Sequence, residues 1–200
     1  MPRNFLPIAT PRLRFSPPSG PEWLHEVKHD GWRAQLHSRD KSAVIFSKNG
    51  KDISARFASI RAALRALPPC TIDAEIVGCD ADGMPDFHGL MTGNSAGYCA
   101  WCFDLLVVDG CDIRRRPLED RRGHLNEILS RASRDVLRSS DSFDDGEELL
   151  KAAARFRLEG IVSKKRKGPY VAGPACGWIK VKTQQWRDAN RERYKLFERA

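Results

Sequence analysis

The 200-residue sequence contains no apolar stretch long enough to cross a bilayer, and no secretory signal at its start, where proline and arginine replace an apolar segment. We therefore expect a cytoplasmic protein with no membrane partner. The sequence also lacks a Gly-x-x-x-x-Gly-Lys-Ser/Thr loop and a Gly-x-Gly-x-x-Gly turn. It thus supports neither P-loop nor dinucleotide-fold binding, and if it binds a nucleotide, another scaffold must hold it.

Cysteine is present but not in a pattern that indicates a metal site or a disulfide framework. Cys99-Ala-Trp-Cys102 has a suitable spacing, yet it lies in an apolar run typical of a strand, where residues three apart point to opposite faces. No second pair of this kind exists among the six cysteines. We expect reduced and mostly buried thiols.

The charge is strongly unbalanced. With 34 Lys and Arg against 26 Asp and Glu, the formal net charge is +8, which favours a polyanionic partner. Basic clusters stand at residues 114–116, 121–122 and 164–167 and in the C-terminal tail. A solvated surface is the more common explanation of any single cluster, so charge alone does not name the partner.

The chain is expected to form one domain with two extensions. Six prolines within residues 1–21 predict an extended lead-in with few strands that wraps the domain or stays mobile. A folded domain is predicted over residues 22–183. Residues 184–200, with Trp186, Tyr194 and Phe197, are predicted to form a helical tail.

Hydrophobic periodicity predicts a mixed fold. Strands are expected at residues 23–28, 32–37, 43–47, 71–77, 98–108, 160–164 and 178–182. Helices are expected over residues 57–67 with Ser54 as N-cap, from Pro117 to Leu129, and from Asp145 with Glu148 completing a capping box. Residues 80–97 look like a loop. Strands and helices do not alternate regularly, so the fold class is α+β with largely antiparallel sheets.

Several predicted strands carry apolar side chains on one face and reactive ones on the other. The reactive set is Glu26 and Lys28, Asp73 and Glu75, Glu159, and Lys180 and Lys182. If these faces line one cleft, the acids suit a divalent metal and the lysines suit a triphosphate, and desolvation with neighbouring cations would activate Lys28 as a nucleophile. The alternative is that each strand has a solvated polar face, with Lys28 paired to Glu26 or Asp30.

The motifs also occur in a recognisable order. They are Lys28-His-Asp-Gly-Trp-Arg33, Ser47-Lys-Asn-Gly50, Asp73-Ala-Glu75, Phe103-Asp104, Glu159-Gly-Ile-Val-Ser-Lys164 and Trp178-Ile-Lys-Val-Lys182. This series resembles the covalent nucleotidyltransferase motifs of ATP-dependent DNA ligases, and is most similar to bacterial ligase domains of nonhomologous end joining. The resemblance implies an ATP-grasp-like nucleotidyltransferase (adenylation) domain of the DNA ligase and mRNA capping enzyme type.

The resemblance also implies a role for each matching residue. Lys28 would attack the α-phosphate of ATP and form lysyl-AMP, which then passes to a DNA 5′-phosphate and is displaced by a 3′-hydroxyl. Lys180 and Lys182 would hold the α-phosphate. The further ATP contacts implied are Glu26 near the base edge, Phe103 stacked on adenine, Arg33 and Glu75 near the ribose, and Lys164. Glu75 and Glu159 would position Mg²⁺ or Mn²⁺.

The sequence departs from the family pattern at three points. Alanine replaces the glycine of Asp-Gly-Glu between Asp73 and Glu75, and Lys48 replaces an arginine that touches phosphate in relatives, so Lys48 is the expected DNA contact without bidentate geometry. Only eighteen residues follow Lys182, too few for the OB-fold domain that relatives carry. We therefore expect an OB-fold or end-joining partner in trans.

Two classes of function follow from these residues. The first is an active enzyme that joins nicked or broken duplex DNA, with an RNA ligase or a capping guanylyltransferase as sibling activities. The second is a degenerate ligase fragment that only binds DNA ends or a repair complex. The intact set of Lys28, Glu75, Glu159, Lys180 and Lys182 favours the enzyme, because a binding protein has no need of all five.

Overall fold

The computed structural model describes residues 5–40, 42–83 and 85–190, and its smaller sheet has four strands. These are β1 (Arg12–Arg14), β2 (Trp23–Lys28), β9 (Gly160–Lys165) and β10 (Ile179–Lys182). Their order across the sheet is β1-β10-β9-β2. β1 and β10 are parallel, whereas the other two pairings are antiparallel.

The larger sheet has six strands. They are β3 (Trp32–Arg39), β4 (Ser42–Ser47), β5 (Cys70–Cys79), β6 (Gly97–Val108), β7 (Cys111–Asp112) and β8 (Leu137–Ser139). The order is β4-β3-β5-β6-β7, and β8 pairs with β6 in parallel. The predicted α+β class with largely antiparallel sheets is confirmed.

Five helices accompany the sheets within the described ranges: α1 (Ala58–Leu64), α2 (Phe87–Thr92), α3 (Leu118–Leu129), α4 (Gly146–Arg155) and α5 (Gln184–Ala189). The main core lies between the larger sheet and α1, α2 and α3, and includes Ile60, Leu90 and Leu125. α4 covers the outer face of the smaller sheet, where Leu149 packs with Val181. Both outer faces are therefore covered.

The period of two along the strands decides which side chains remain for the inner faces. Ile72, Ala74 and Ile76 of β5 are fully buried in the main core, so Asp73 and Glu75 point to the opposite face. In the same way Val27 packs toward α4, which leaves Glu26 and Lys28 of β2 on the inner face of the smaller sheet. The two polar inner faces enclose a cleft.

Two β-bulges in β6 turn large apolar side chains toward the smaller sheet and the segment before β10. Asp73 pairs with Asp104 and the next residue of β5 pairs with Cys102, so Phe103 is an extra residue. The second bulge leaves Leu106 unpaired in the same way. Both side chains join a second cluster with Trp178. A bulge turns a side chain away from the regular alternation, which the apolar run from 98 to 108 did not predict.

Two local predictions are wrong. Ser54 does not cap α1: it begins a 3₁₀ turn and its hydroxyl donates to Asp52 Oδ1 at 2.6 Å, while Phe57 precedes the helix without a side-chain cap. Residues 80–97 are not all loop, because Asp86 accepts a hydrogen bond from the Gly89 amide and caps α2. Short helices with one apolar turn give too little periodicity to be recognised.

The capping prediction for α4 holds in part. The Asp145 side chain accepts hydrogen bonds from the amides of Glu147 and Glu148, as an N-cap does. The Glu148 carboxylate does not close a capping box and instead pairs with Lys151 at 2.6 Å. The tail contains α5 with Trp186, whereas Tyr194 and Phe197 lie outside the described residues.

The proline-rich lead-in is ordered along the domain from residue 5 onward. Leu6 exchanges two hydrogen bonds with the Gln35 side chain, at 3.1 and 2.6 Å. The Ala9 amide donates to the Tyr170 hydroxyl at 3.0 Å, and β1 adds an edge strand to the smaller sheet. The expectation that the lead-in wraps the domain is thus confirmed for this part, and few strands form in it.

The cysteines are free, and five of the six are buried, Cys111 being exposed. Cys99 and Cys102 are buried three residues apart in β6, and burial raises the pKa of Cys99 to about 12. This agrees with inert thiols rather than metal ligands. Within the described part of the chain, none of the helices has the length and apolar content needed to span a bilayer.

Candidate active site

A cavity of about 360 Å³ lies between the inner faces of the two sheets. The smaller sheet contributes Glu26, Lys28, Lys164 and Lys180, and the larger sheet contributes Arg33, Glu75 and Phe103. Lys48 stands at the same cavity, after β4. The cavity walls therefore contain eight of the ten residues that the sequence indicated as catalytic, nucleotide-binding, metal-binding or DNA-binding.

The remaining two residues, Glu159 and Lys182, contact Lys28 from the side. Lys28 Nζ donates to Glu159 Oε2 at 2.6 Å, and Lys182 Nζ lies 3.1 Å from Glu159 Oε1. Glu159 is buried, so its carboxylate is shared between two lysines with little solvent screening. The alternative pairing of Lys28 with Glu26 is replaced by a contact with a residue 131 positions away.

Lys180 is the third cation of this group. Burial lowers the pKa of Lys180 below its ordinary value, and the positive charges of Lys182 and Lys28 lower it further, while Glu159 opposes the shift. Three ammonium groups therefore crowd around one carboxylate. Such a site gains from an anion that brings more negative charge, as a phosphate group does.

Glu75 lies opposite these lysines and has the most perturbed carboxyl group of the cavity. Burial raises its pKa to about 7, and Glu159 and Asp73 add to the rise, although Lys28 and Arg33 oppose it. Among the residues that the structure describes, its carboxylate has neither a hydrogen bond nor an ion pair. A half-buried, unpartnered carboxylate at a cavity wall suits a cation that arrives with the ligand.

Glu75 and Glu159 are the candidate metal ligands. No group of three or more His, Cys, Asp or Glu side chains converges anywhere in the described ranges. Two carboxylates nonetheless fit Mg²⁺, which keeps several waters and binds one or two protein carboxylates together with substrate phosphates. The residues present therefore suit a metal that is completed by ATP, and they do not form a closed protein cage.

The far end of the cavity is built around a buried ion pair. Lys164 Nζ donates to Glu26 Oε2 at 2.7 Å, and Arg122 of α3 pairs with the other oxygen of Glu26. Burial lowers the pKa of Lys164, although Glu26 opposes this shift. Lys164 Nζ also lies 4.5 Å from the ring centroid of Phe103 and 4.3 Å from that of Trp178. Aromatic rings with a fixed polar edge suit a purine base.

A second buried network fixes Arg33. Its guanidinium makes a bidentate contact with Asp73, at 2.6 and 2.7 Å, and lies 4.7 Å from the Phe103 ring centroid. The Tyr170 hydroxyl donates to Asp73 Oδ2 at 2.6 Å, and burial raises the pKa of Tyr170. Asp73 thus does not reach the cavity. It orients Arg33, which does.

Sequence reasoning missed one wall of the cavity. Residues 8–11 of the lead-in line it, and Ala9 is buried against Phe103 and Trp178. The Arg33 Nη2 group lies 3.5 Å from the Ala9 carbonyl oxygen. A proline-rich segment carries no periodicity that would mark it as a binding wall, so no local signal was available.

Gly31 explains why the turn after Lys28 needs glycine. A Cβ atom at this position would lie 2.2 Å from the Ile76 carbonyl oxygen and 3.1 Å from Glu75 Cγ. The Lys28 turn is therefore pressed against the strand that carries Glu75. Gly160, with a φ of 157°, has a similar constraint, because its Cβ would lie 2.0 Å from the Val181 carbonyl oxygen.

Comparisons with known proteins agree with this geometry. The chain is 33% identical over 175 residues to the multifunctional nonhomologous end joining protein LigD of Pseudomonas aeruginosa, a match that covers 84% of this chain and 21% of that protein. The chain thus spans about a fifth of that relative.

Two solved structures have the same fold. The ligase domain of Mycobacterium tuberculosis LigD aligns with a TM-score of 0.76 at 24% identity, over 88% of this chain and 60% of that one. A mycobacterial DNA ligase D complexed with ATP and MES aligns with a TM-score of 0.70 at 24% identity, over 86% of this chain and 60% of that one.

The sequence model of the family described as "ATP dependent DNA ligase domain" matches residues 14–182 of this chain. This range contains Lys28, Glu75, Glu159, Lys180 and Lys182, which the structure brings to one cleft. By this match and by the cleft it covers, the chain belongs to the ATP dependent DNA ligase domain family.

Proposed function

We propose that this protein is an ATP-dependent DNA ligase, or the adenylation domain of one, that joins breaks in duplex DNA during end-joining repair. The observation that carries the proposal is the Lys28 ammonium, held 2.6 Å from Glu159 at a cavity with three further lysines and the unpartnered Glu75. The P. aeruginosa relative is named an end joining protein, which supports the repair context.

The chemistry would begin at Lys28. Its neutral amine attacks the α-phosphorus of ATP, a P–N bond forms, the bond to the bridging oxygen breaks, and pyrophosphate leaves. Glu159 is placed to accept a proton or a hydrogen bond from the amine. Lys180 and Lys182 neutralise the charge that develops on the α-phosphate oxygens. Mg²⁺ or Mn²⁺, when bound, supplies further charge neutralisation, and Glu75 with Glu159 would hold it.

The other walls would select and orient the nucleotide. Phe103 would stack on the adenine, and Glu26 with Lys164 would present a fixed polar edge to the base. Arg33, held by Asp73, would reach the ribose region. In the later steps AMP passes to a DNA 5′-phosphate and is displaced by a 3′-hydroxyl, with Lys48 at the cavity rim as a DNA contact.

The wider assignment is also part of this proposal. Residues 22–183 would form the adenylation domain, with residues 1–21 as its lead-in and residues 184–200 as its tail. Nicked or broken duplex DNA would be the substrate, met in the bacterial cytoplasm at the nucleoid. An OB-fold or end-joining partner in trans would assist it.

The direct test is covalent labelling. Incubation with ATP and Mg²⁺ should add one AMP to the intact mass, peptide mapping should place it on Lys28, and Lys28→Ala should lack it. Lys151→Ala, which changes an exposed lysine of α4, should label normally. An adduct on another lysine that persists in Lys28→Ala contradicts the assignment.

Matched substrates separate the sibling activities. Labelling by GTP in place of ATP would indicate a capping enzyme, and sealing of nicked RNA in preference to nicked DNA would indicate an RNA ligase. A chain that binds nicked DNA but never forms lysyl-AMP would be a binding protein, and the proposed enzyme would be wrong.

A further inference from the structure

A second cavity of about 420 Å³ lies beside the candidate active site, between the end of α3 and β8. We call it the α3–β8 groove. Its walls include Trp101, Asn126, Arg134, Arg138, Ser139 and Asp141. His29 lines the first cavity, and its ring stacks on Trp101 with centroids 4.2 Å apart and an interplanar angle of 11°. Trp101 of the groove wall thus contacts the residue next to Lys28.

Strand register links the groove to the active site. Glu75 of β5 pairs with Trp101 of β6, and Trp101 pairs with Arg138 of β8. These three residues therefore stand in one row across three neighbouring strands, about 10 Å from end to end at ~4.8 Å per strand. Duplex DNA advances about 3.4 Å per nucleotide along each strand, so the row has the length of roughly three nucleotides.

Two arginines supply charge in the groove. In the described part of the chain, neither Arg134 nor Arg138 takes part in an ion pair, and the Arg138 guanidinium lies 5.5 Å from the Trp101 ring centroid. This contact restrains Arg138 and leaves its N–H groups available, and a guanidinium fork matches phosphate geometry. Of the wall residues that the structure describes, Asp141 is the one carboxylate, and it is exposed to solvent, so its opposing charge is screened.

A neutral polar pair completes the groove. The Ser139 hydroxyl donates to Asn126 Oδ1 at 2.5 Å, which fixes the side chain of Asn126 and leaves its amide N–H₂ as a donor. Leu129 and Leu137 add apolar area to the wall, while two guanidinium groups and this amide supply the hydrogen-bond donors. Such a concentration of donors and positive charge suits a sugar–phosphate backbone.

We propose that the α3–β8 groove binds the backbone of the DNA strand whose 5′-phosphate is presented to Lys28, with Arg138 and Arg134 on the phosphates that follow. The identity of this strand rests on the proposed joining activity, whereas binding of a DNA backbone here does not. The strand would pass over the His29 and Trp101 rings on its way from Lys28 into the groove.

The test is binding of a 5′-phosphorylated nicked duplex, measured by fluorescence anisotropy over a series of salt concentrations. Arg134→Gln combined with Arg138→Gln should weaken binding at least tenfold at moderate salt. It should also lower the slope of log affinity against log salt by about 2, since each phosphate contact contributes about 0.9. Replacing Arg138 by lysine instead of glutamine in this variant restores one positive charge and should recover part of the slope. Asp141→Asn in the wild-type chain should tighten binding.

The matched control removes the same charge elsewhere. Arg65→Gln combined with Arg155→Gln changes two exposed arginines, one directly after α1 and one at the end of α4, that line neither cavity. This variant should leave the slope nearly unchanged. Equal slopes for the groove variant and wild type overturn the proposal. So does an equal loss of slope in the control pair.

Single methylphosphonate linkages, which replace one charged phosphate by a neutral one, show which DNA strand the groove binds. Placed at the first three linkages after the 5′-phosphate, they should weaken wild-type binding but not binding by the groove variant. Effects that persist in the variant, that follow only the template or the 3′-hydroxyl strand, or that appear only with RNA overturn the assignment.

Lysyl-AMP formation separates this inference from the proposed function. The groove variant should form lysyl-AMP as wild type does, which also reports that it is folded. If wild type forms no lysyl-AMP but the groove variant loses DNA affinity, DNA binding by the groove is supported and the proposed function is wrong. If both proteins form lysyl-AMP and bind DNA with the same affinity, DNA binding by the groove is contradicted and the proposed function is supported.

Discussion

Glu75 makes stability and metal binding depend on pH. Its pKa of about 7 means that the folded chain holds this proton more tightly than the unfolded chain does. Stability present at pH 4 is therefore lost as the pH rises from about 4.5 to about 7. Glu75→Gln should remove this loss, with a free energy of unfolding on the order of 2 kcal/mol above wild type at pH 8 and close to it at pH 4. Urea denaturation at both pH values measures this.

The control for this prediction is Glu22→Gln, which changes an exposed carboxyl group and should follow the wild-type pH curve. Metal binding by wild type should weaken as the pH falls below about 7, because Glu75 must lose its proton to act as a ligand. Isothermal titration with Mg²⁺ and ATP in two buffers would count the proton released. A Glu75→Gln variant with unchanged metal affinity would remove Glu75 from the site.

At the scale of elements, the lead-in depends on one hydroxyl. The Tyr170 hydroxyl accepts from the Ala9 amide and donates to Asp73, so it connects the wall at residues 8–11 to Arg33. Tyr170→Phe leaves the buried Ala9 amide without its acceptor and removes one of the hydrogen bonds to Asp73, so it should lower stability by about 1–3 kcal/mol. We also expect the ATP concentration for half-maximal lysyl-AMP formation to rise several-fold, with a smaller change in the maximal rate.

Tyr98→Phe is the matched control for the Tyr170→Phe variant. Tyr98 packs edge to face on Phe57, with ring centroids 5.0 Å apart, and the described residues give its hydroxyl no hydrogen bond. It should behave as wild type in both assays. If Tyr170→Phe also does so, residues 8–11 do not depend on this hydroxyl.

α3 is attached to the sheet by an ion pair that is fully buried. Arg121 contacts both carboxylate oxygens of Asp104, at 2.7 and 2.8 Å, and neither side chain is exposed. Asp104→Ala leaves a buried guanidinium without its counter-ion and should lower the free energy of unfolding by about 3–5 kcal/mol. Asp112→Ala removes an exposed pair with Arg114 and should lower it by less than about 1 kcal/mol. Urea denaturation compares the two, and equal losses would contradict the role of burial.

At the scale of the whole molecule, the cavity lies between the two sheets, and both sheets line it. Lys28 and Lys180 belong to one sheet, and Arg33, Glu75 and Phe103 belong to the other. An AMP attached to Lys28 should therefore hold the sheets together and stabilise the folded state. We expect a melting temperature about 3–8 °C higher for the lysyl-AMP form, on the scale of ~2–4 °C per kcal/mol for a chain of this length.

Differential scanning calorimetry before and after labelling gives this difference. Pyrophosphate, which reverses the labelling reaction, should return the melting temperature to its starting value, and Lys28→Ala with ATP should show only the smaller gain of reversible binding. A labelled protein that melts at the unlabelled temperature would mean that AMP contacts one sheet alone.

The sequence by itself determined the reactive faces. Alternation along residues 71–77 requires Asp73 and Glu75 to lie opposite Ile72 and Ile76, because a strand repeats every two residues and the apolar face must be buried. The same rule set Lys28 and Lys180 on polar faces. Together with the order of the motifs, this was enough to predict the fold class, the family and eight of the residues that line the cleft.

Only the tertiary structure decided which partners these side chains contact. Lys28 pairs with Glu159 rather than Glu26, Asp73 holds Arg33 instead of facing the cavity, and Phe103 enters the cleft through a bulge. Each outcome depends on register between strands distant in sequence, and local periodicity carries no information on register. The wall at residues 8–11 and the groove at Arg138 depend on packing between elements, so they became visible only once the sheets were assembled.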